Sequence, residues 1–385
     1  MRTVMVYRSL LLPISETFIK AQIQSYTRWG AVLVGRRLCR QLSLEGLDVI
    51  TLEPDDPGPV VRLILKLRKE LGITPDLSRI LSRRPALLHA HFGMDAVLAH
   101  PIAKALGVPM VVTLHGFDIN IYQEWWESGN GGVFMRAYPR RLKRLSENAE
   151  VHFVAVSQAI KLRAVEFGIP AEKIKVIHIG VDLSGFEQGP VPISARARRV
   201  LFVGRLVEKK GCEFLLRAMR VVQERVPGSE VTIVGDGPQR SAMEALAKQL
   251  GVSASFKGFL SSDGVKTELN AARAFCLPSI TAANGDAEGL GIVLLEAQAK
   301  GVPVVTSARG GMGEGIVDGE TGFGFTERDT KGLSEALTRL LSDDQLAESM
   351  AAAGPIFIRK RFDIKECTRQ LESYYDDVLA GRVDV

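Results

Sequence analysis

The sequence predicts an α/β protein built from two Rossmann-like, doubly wound domains, each with a parallel sheet. Its 385 residues exceed the size at which a single core usually stops growing. Short β-branched runs alternate with helical patterns in both halves, which is typical of parallel sheets with crossover helices. Residues 182–198 are rich in Gly, Pro and Ser and lack periodicity, as in a linker. We therefore expect domains over residues 1–182 and 183–362, facing a central cleft.

The hydrophobic period places the individual elements. In the first half, strands are expected near residues 2–7, 31–34, 48–52, 86–90, 110–114, 151–156 and 174–178, and helices near 15–28, 58–71, 94–106, 133–148 and 157–168. In the second half, strands are expected near 199–203, 230–234, 254–257, 274–277 and 303–306, and helices near 210–225, 238–250, 261–272, 289–300 and 331–341. Ligands bind at the carboxyl ends of parallel strands, so functional residues should follow strands.

Charge is distributed unevenly along the chain. Residues 1–185 hold 24 Lys and Arg against 17 Asp and Glu, whereas residues 186–385 hold 25 against 27, so the overall +5 comes from the first half. Basic clusters attract phosphate-rich partners such as anionic lipid headgroups or lipid diphosphates. A solvated surface with scattered positive charge is the alternative. Nucleic acid is not expected, because no aromatic residues interleave the basic clusters.

The spacing of the cysteines and the absence of long apolar runs favour a location in the cytoplasm. Cys39, Cys212, Cys276 and Cys367 are scattered without a CxxC pair, which fits a reducing cytosol and argues against a zinc site or a disulfide framework. Residues 1–7 resemble a strand rather than a signal peptide, and no run of eighteen apolar residues is present. We expect a cytoplasmic protein.

Two carboxylates in the second half have the most suggestive spacing. Glu288 lies in a Gly/Asn/Asp-rich loop and Glu296 in an apolar helical run. A continuous helix would separate them by roughly 12 Å along its axis, about the span from ribose to hexose in a nucleotide-sugar. Gly289, Leu290 and Gly291 would offer backbone N–H groups at the helix start. The alternative is a surface loop that leads into a core helix with one salt-bridged Glu.

Further candidates follow the other strands of the second half. Arg205 and Lys210 come after strand 199–203 and could neutralise a diphosphate, although an ordinary basic turn would look the same. The turn at Gly235 and the pair Phe259 and Leu260 could contact a nucleotide base. No P-loop or dinucleotide-binding glycine motif is present, which disfavours NTPases and dehydrogenases.

The first half offers a second set of candidates. His91 and His115 end neighbouring strands, so they should converge at one sheet edge, whereas His89 is expected to be a core histidine. No third metal ligand is evident, and we therefore expect no metal. Ser15 or Thr17 could cap the following helix and direct Glu16 into the cleft. The residues taken as acceptor-side candidates are Glu16, Thr17, His91 and Asp118.

An aromatic loop precedes a basic helix in the first half. Trp125 and Trp126 are followed within residues 133–148 by five basic residues, Arg136, Arg140, Arg141, Lys143 and Arg144. Aromatic rings beside clustered cations suit a membrane interface or a lipid-linked acceptor.

Taken together, the order and spacing of these motifs resemble retaining GT-B glycosyltransferases of family 4, the group that includes exopolysaccharide and lipopolysaccharide transferases. The resemblance covers essentially the full length and depends on Gly204-Arg205, Lys210-Gly211, the 235–238 turn, the Glu288/Glu296 pair, residues 299–305 and His115-Gly116. Residues 13–18 further resemble a colanic-acid-like subgroup. Many relatives carry a Gly-Gly loop after the first strand, which residues 10–17 replace here.

The resemblance implies roles for the candidates. Arg205 and Lys210 would bind the donor diphosphate, and Glu296 the ribose hydroxyls. Glu288 and the backbone of residues 289–291 would bind the donor sugar, and His115 another sugar hydroxyl. His115, Glu288, Arg205 and Lys210 would thus be the catalytic set. It also implies no metal, no cofactor besides the nucleoside-diphosphate-sugar co-substrate, no protein nucleophile, and a C-terminal helix within 363–385 that crosses back to the first domain.

The expected function is therefore a retaining glycosyltransferase of surface polysaccharide biosynthesis. It would move a hexose from a nucleoside-diphosphate-sugar to a lipid-linked or saccharide acceptor, while bound peripherally to the anionic inner face of the membrane. One alternative is another GT-B enzyme, such as a sucrose- or trehalose-type synthase or a nucleotide-sugar epimerase. A second is a nucleotide-sugar-binding protein without turnover.

Overall fold

The structure, a computed structural model, divides the chain into two compact units. It describes residues 1–13, 16–54, 56–70, 73, 75–187, 189 and 191–382, with the side chains of Lys69, Glu70 and Phe134 left out. Unit 1 comprises Met1–Asp182 and Ile364–Val385, and unit 2 comprises Leu183–Asp363.

Unit 1 is an α/β layer structure around one large sheet. Its strands are β1 (Arg2–Tyr7), β2 (Leu10–Leu11), β3 (Trp29–Gly35), β4 (Arg37–Leu38), β5 (Asp48–Thr51), β6 (Leu87–His91), β7 (Met110–Leu114), β8 (Val151–Ala155) and β9 (Ile174–Val176). Its first helices are α1 (Thr17–Gln24), α2 (Pro59–Glu70), α3 (Ser78–Leu81), α4 (Gly93–Leu106), α5 (Phe117–Asn120), α6 (Gln123–Glu127), α7 (Tyr138–Ser146) and α8 (Gln158–Phe167). Seven strands pair in parallel in the order β5-β3-β1-β6-β7-β8-β9, and β2 and β4 form a small parallel pair.

Unit 2 repeats this architecture with six strands. The strands are β10 (Arg199–Val203), β11 (Glu230–Val234), β12 (Ala254–Gly258), β13 (Ala274–Leu277), β14 (Val304–Ser307) and β15 (Gly322–Phe325). The helices are α9 (Cys212–Arg225), α10 (Arg240–Leu250), α11 (Ser262–Ala271), α12 (Ile292–Ala299), α13 (Gly311–Glu314), α14 (Thr330–Ser342) and α15 (Asp344–Phe362), and the last helix of the chain, α16 (Ile364–Leu379), returns to unit 1. The sheet is parallel in the order β12-β11-β10-β13-β14-β15.

Both sheets share one topological feature that locates a site. In each, the strand order reverses beside the first strand, between β1 and β6 in unit 1 and between β10 and β13 in unit 2. The loops that leave these strands at their carboxyl ends run to opposite sides, which opens a crevice at the switch point. Central strands such as β6 and β13 are buried along their whole length, so their continuous apolar runs follow from the helices that cover both faces.

The predicted strands are confirmed to within two residues at their ends, and two of the elements that were not predicted, β15 and α15, have identifiable reasons. Strand β15 has the sequence Gly-Phe-Gly-Phe. A Cβ at Gly322 would lie 2.3 Å from the Val304 carbonyl oxygen, so packing favours glycine at this position. Because glycine is uncommon inside strands, the residue pattern did not predict a strand here. Helix α15 contains Gly354 and Pro355, which normally indicate a helix end. The predicted cap at Thr17 is not observed, because Thr17 is the first helical residue and Glu16 precedes it without a side-chain cap; Ser15 lies outside the described residues.

Helix α16 is fixed to unit 1 by one buried carboxylate and one buried tyrosine. The Glu372 carboxylate accepts hydrogen bonds from the backbone N–H groups of Thr27 (2.9 Å), Arg28 (2.7 Å) and Trp29 (3.0 Å). The Tyr375 hydroxyl lies 2.6 Å from Nδ1 of His89. The backbone N–H groups at the start of β3 thus find their hydrogen-bond acceptor on a segment more than 340 positions away in sequence.

Replacing Glu372 with Ala should destabilise unit 1 by roughly 3 kcal/mol, because three N–H groups lose their acceptor at once. All three tryptophans of the chain, Trp29, Trp125 and Trp126, belong to unit 1, so urea unfolding followed by tryptophan fluorescence reports on that unit. Asp376→Ala is the matched control, since its pairs with Arg2 and Arg28 are largely exposed and worth at most about 1 kcal/mol. Equal effects of the two variants would contradict this role for Glu372.

Candidate functional site

The crevice of unit 2 is built from two loops that are joined to each other. The loop after β10 contains Glu208 and Lys209, and the loop after β13 receives them: Ile280 N–H donates to the Lys209 carbonyl (2.8 Å) and Ala283 N–H to Glu208 Oε1 (3.0 Å). Gly211 has φ +63°, and a Cβ there would lie 1.9 Å from the Pro278 carbonyl oxygen. Only glycine therefore allows the two loops to approach this closely.

Two lysines and two carboxylates form the centre of these loops. Lys210 Nζ lies 3.0 Å from Glu288 Oε1, and Lys209 Nζ lies 3.0 Å from Asp286 Oδ1 and 4.0 Å from Glu288 Oε1. The Lys210–Glu288 contact is an ion pair by distance but lacks the geometry of a directed hydrogen bond. We call Lys209, Lys210, Asp286 and Glu288 the ion cluster. Lys209 and Asp286 were not among the residues that the sequence analysis selected.

The charges of the ion cluster are set by burial and by each other. Burial raises the pKa of Glu288, and the ammonium groups of Lys210 and Lys209 more than offset this, so that pKa lies below its usual range. Burial lowers the pKa of Lys209, and Glu288 and Asp286 more than offset it, so that pKa is raised. Both groups are therefore ionised at neutral pH. Lys210 is thus already paired with Glu288, rather than the unpaired cation that a simple phosphate clamp would have.

Arg205 is placed differently from the ion cluster. Its side chain is exposed, and its guanidinium makes no ion pair with any residue that the structure describes. It is close enough to Lys209 that its positive charge opposes, by a small amount, the rise in the pKa of that lysine caused by Glu288 and Asp286. An exposed guanidinium beside two lysines can bind an incoming anion at little cost, because no partner has to be displaced.

The helix that carries Glu296 begins later than expected. Helix α12 starts at Ile292 rather than at residue 289, so Glu288 lies in the preceding loop and the separation of roughly 12 Å derived for a continuous helix does not apply. Within the described part of the chain, no protein acceptor binds the backbone N–H groups of Leu290 and Gly291. These N–H groups, at a helix N-terminus and two or three residues from Glu288, are suited to an anion or a hydroxyl oxygen.

Glu296 is a largely buried carboxylate without a protein partner. No hydrogen bond or ion pair to its side chain occurs among the described residues. Burial raises its pKa to about 7, with a smaller opposing effect of Lys266. The group is therefore poised between its two protonation states near neutral pH, as expected for a side chain that is kept for a ligand.

The remaining donor-side candidates are Gly235, Phe259 and Leu260, and only Phe259 has an exposed side chain. Gly235 has φ +130°, and a Cβ there would lie 2.0 Å from the Gly204 carbonyl oxygen, so this glycine holds the turn against the loop after β10. Phe259 is 60% exposed, whereas Leu260 is partly buried against the core. Phe259 is thus available for stacking on a base, and Leu260 has mainly a structural position.

In unit 1, three histidines lie side by side at the ends of β6 and β7. His91 Nδ1 lies 3.0 Å from His115 Nε2, and His89 is fully buried between Thr113 and Tyr375, as expected for a core histidine. Burial lowers the pKa of all three, so they are neutral at neutral pH. His91 is only 1% exposed, which corrects its selection as an exposed cleft residue. His115 is partly exposed and is the histidine of this cluster that solvent can reach.

Asp118 shapes the loop after β7. Its carboxylate accepts hydrogen bonds from the backbone N–H groups of Gly93 (2.8 Å), Gly116 (2.9 Å) and His115 (3.1 Å), and the residue is fully buried. A direct contact with an acceptor, as the sequence analysis expected, is not available to it in this conformation. It holds His115 in position instead.

Glu16 is likewise engaged with protein rather than directed into solvent. It is 6% exposed and paired with Arg8, with Oε1 2.7 Å from Nη2 and Oε2 2.9 Å from Nε. Arg8 also pairs with Asp95, which accepts a hydrogen bond from the Ser9 N–H group (2.8 Å). Glu16 is therefore a positioning residue for Arg8, whereas Thr17 is exposed. Arg8 directly follows β1 at the switch point, a signal that the sequence analysis overlooked.

The two tryptophans of the aromatic loop differ, because Trp125 is partly exposed and Trp126 is buried. Trp126 is 2% exposed and packs edge-on against Phe117, Trp125 and Tyr138. Helix α7 has an ordinary amphipathic form, with Leu142 and Leu145 buried and its basic side chains outside. Trp126 is therefore not available to a membrane surface or an acceptor in this conformation, which corrects its selection as an interfacial residue.

Metal-ligand clusters and membrane-spanning helices are both absent from the described part of the chain. No group of three or more His, Cys, Asp or Glu side chains among them could hold a metal ion. No helix among them has the length and apolar character needed to cross a bilayer.

Comparisons with known proteins identify relatives over most of the chain. Residues 30–184 match the family model of glycosyltransferase family 4, and residues 187–356 match that of glycosyl transferases group 1. A GDP-mannose-dependent alpha-(1-6)-phosphatidylinositol monomannoside mannosyltransferase of Mycolicibacterium smegmatis is 32% identical over 299 residues, which cover 71% of this chain and 74% of that protein.

A second relative and a solved structure extend these matches. A protein of Escherichia coli K12 named as a colanic acid biosynthesis glycosyltransferase is 31% identical over 265 residues, 67% of this chain. The chain spans 62% of that relative's length, less than two thirds. The crystal structure of Anabaena HepE in complex with UDP and glucose aligns with a TM-score of 0.78 and 19% identity over 98% of this chain and 100% of that one. This likeness confirms the predicted GT-B fold.

The pKa of Glu296 leads to a pH-dependent stability of unit 2. Its folded pKa of about 7 lies above the unfolded value of 4.5, so the folded state binds more protons, and stability falls as pH rises through this range. Glu296→Gln should match the wild type near pH 4.5 and be more stable at pH 8, by up to roughly 3 kcal/mol, or about 5–10 °C in Tm.

Differential scanning calorimetry of both proteins at the two pH values measures this difference. Glu335→Gln is the matched control, because Glu335 is an exposed carboxylate of the same unit, on α14. A Tm difference between wild type and Glu296→Gln that is the same at both pH values would show that Glu296 titrates normally.

Proposed function

Because the chain belongs to the family 4 glycosyltransferases, we propose that it transfers a hexose from a nucleoside-diphosphate-sugar to a lipid-linked or saccharide acceptor. The observation that carries this proposal is the ion cluster beside the exposed Arg205 at the switch point of unit 2. Relatives named for colanic acid and for a mannosylated phosphatidylinositol support a product in surface glycan or glycolipid synthesis.

The basic groups of the crevice would stabilise the leaving diphosphate. Arg205 offers a planar donor pair to phosphate oxygens, and Lys210 offers a point charge. As negative charge develops on the leaving group, the Lys210 ammonium would interact with both the Glu288 carboxylate and the phosphate. The unpaired N–H groups of Leu290 and Gly291 are already oriented, so they add stabilisation without reorganisation.

The carboxylates would bind the two sugars of the donor. Glu288 is ionised and can accept hydrogen bonds from hydroxyls of the transferred hexose. Glu296, when ionised, can accept two hydrogen bonds from the ribose, and this binding would favour its charged form. His115 is neutral and can donate or accept a hydrogen bond at a sugar hydroxyl. Phe259 would stack on the base.

The reaction we propose retains the configuration at the anomeric carbon and needs no metal or other cofactor. The acceptor hydroxyl oxygen forms a bond to the anomeric carbon on the face from which the diphosphate departs. The bond from that carbon to the phosphate oxygen breaks, and the leaving phosphate takes the proton of the acceptor hydroxyl. Arg205 and Lys210 supply the positive charge at the leaving group, and no side chain acts as a nucleophile.

The excess of basic residues within 1–185 supports binding of the protein to the anionic surface of a membrane on its cytoplasmic side. A lipid-linked acceptor would be presented there, so binding to the surface would raise its local concentration. The membrane surface is thus part of the proposed function.

Replacing Arg205 or Lys210 with Ala should weaken binding of the donor nucleotide and slow turnover, each by roughly 1.5–3 kcal/mol, because a charge-assisted contact to phosphate is lost. Isothermal titration with UDP, GDP and ADP, followed by the matching sugar donors, identifies the nucleotide and measures the change. Arg220→Ala, an exposed arginine on α9 paired with Glu224, is the matched control. Wild-type affinity and rate in both variants would exclude the clamp.

Glu288→Gln separates binding from catalysis. The variant should lose turnover while binding the nucleoside diphosphate as tightly as the wild type or more tightly, because Lys210 no longer shares its charge with a carboxylate. Nucleotide titration and release of nucleoside diphosphate from the sugar donor measure the two quantities. Equal release by wild type and variant would favour a nucleotide-sugar-binding protein without turnover.

A further inference from the structure

Lys209 is held in place by the loop that carries Glu288. Its Nζ donates a hydrogen bond to Asp286 Oδ1 at 3.0 Å, and the same nitrogen lies 4.0 Å from Glu288 Oε1. Its backbone carbonyl accepts a hydrogen bond from Ile280 N–H at 2.8 Å. Both the main chain and the side chain of Lys209 are therefore bonded to the loop after β13.

The part of that loop that presents Asp286 is closed by hydrogen bonds of its own. Ala282 N–H donates to the Asp286 carbonyl (2.9 Å), and Asp286 N–H donates to the side-chain oxygen of Asn284 (3.0 Å). These local bonds fix the position of the Asp286 carboxylate, and hence the position of Lys209 Nζ. A phosphate that competed for Lys209 would have to break a directed, charge-assisted hydrogen bond.

Lys210 is bound less firmly than its neighbour. Its Nζ lies 3.0 Å from Glu288 Oε1, but this contact lacks the geometry of a directed hydrogen bond, and Lys210 makes no other ion pair with a residue that the structure describes. Lys210 can therefore turn towards an incoming phosphate at a smaller cost than Lys209 can.

The charge of Glu288 depends on these two ammonium groups. Burial raises its pKa, and Lys210 and then Lys209 more than offset this effect. Glu296 in the same unit shows how large the effect of burial is, since the pKa of that carboxyl is raised to about 7 against a smaller opposing effect of Lys266. If Lys210 turns to a diphosphate, another cation has to remain beside Glu288 to keep this carboxylate ionised at neutral pH.

The other charged groups nearby leave Lys209 as that cation. Besides the two lysines, the loops after β10 and β13 carry Arg205, Glu208 and Asp286. Arg205 is exposed, Glu208 is exposed and accepts a hydrogen bond from a backbone N–H group of the other loop, and Asp286 is an anion. On the neighbouring loops after β14 and β15, the charged side chains pair with one another, as Arg309 and Arg328 do with Glu327.

We propose that Lys209 is a positioning residue of the donor site, which stays beside Glu288 and preserves the negative charge of that carboxylate when Lys210 turns to the diphosphate. Asp286 holds Lys209 in this place. The inference rests on the proposed function, because it requires a nucleoside diphosphate to bind at Lys210. The two adjacent lysines then act on different groups, Lys210 on the leaving phosphate and Lys209 on the carboxylate that faces the donor sugar.

Proton uptake on nucleotide binding tests this division without any need for turnover. Isothermal titration at pH 6, in two buffers of different ionisation enthalpy, gives the number of protons exchanged per bound nucleotide. The ligand is whichever of UDP, GDP and ADP binds the wild type most tightly. Protons exchanged by the nucleotide itself and by Glu296 are common to the proteins compared and cancel in the difference.

Four variants at two positions separate the possible roles of Lys209. Lys209→Gln and Lys209→Met remove the charge, and Lys209→Met retains the length and apolar stem of the side chain. Lys209→Arg keeps the charge. Lys209→Gln is also combined with Glu288→Gln and compared with Glu288→Gln alone. Lys248→Gln, at an exposed lysine of the same unit on α10, is the matched control, and thermal unfolding by circular dichroism verifies the fold.

Both neutral variants should take up more protons than the wild type, by up to about one per nucleotide, because Glu288 loses Lys210 to the diphosphate and no cation remains beside it. The difference should vanish at pH 8.5, above the pKa of about 7 that burial gives to Glu296. Lys209→Arg and Lys248→Gln should behave as the wild type. In the Glu288→Gln background, Lys209→Gln should add no protons and change the affinity by less than about twofold.

Three results would overturn the inference. Neutral variants that bind nucleotide without extra protons would show that Glu288 does not need Lys209. Extra uptake, or a loss of affinity, that persists in the Glu288→Gln background would assign Lys209 to the phosphate itself. Failure of UDP, GDP and ADP to bind the wild type would refute the proposed donor site and the inference with it, and this result is distinct from the other two because it concerns the unmodified chain.

Discussion

The ion cluster of unit 2 joins the two loops on which the candidate donor site depends. Lys209 and Lys210 leave the sheet after β10, and Asp286 and Glu288 leave it after β13, so each ion pair ties one side of the switch point to the other. Burial makes an isolated carboxylate or ammonium costly here, and the pairing offsets part of that cost. The same charges that close the crevice are therefore those that an incoming diphosphate would meet.

Close backbone approach makes this pairing possible. Gly211 lies against the Pro278 carbonyl and Gly235 against the Gly204 carbonyl, each with a positive φ that other residues rarely adopt. In unit 1 the corresponding function is performed by buried carboxylates, since Asp118 holds the loop after β7 and Asp95 holds the loop after β1. The two units thus use different chemistry to fix the loops that follow their strands, with glycines and an ion cluster in unit 2 and buried carboxylates in unit 1.

Side chains left without protein partners mark the places where ligands are expected. Arg205, Glu296 and the N–H groups of Leu290 and Gly291 have no hydrogen-bond or ion-pair partner within the described residues. The proposed donor site in unit 2 gives each of these groups a role.

The sequence by itself determined the two-sheet α/β architecture, nearly every strand, and the residue types that follow strands in unit 2, because hydrophobic period and glycine placement are local properties. It did not reveal that Lys210 is paired with Glu288, or that Glu16, His91, Asp118 and Trp126 are buried. Those outcomes depend on which loops meet across a sheet edge and which helix face finds a covering layer. Only the tertiary structure decides them, because burial and ion pairing arise between segments far apart in the chain.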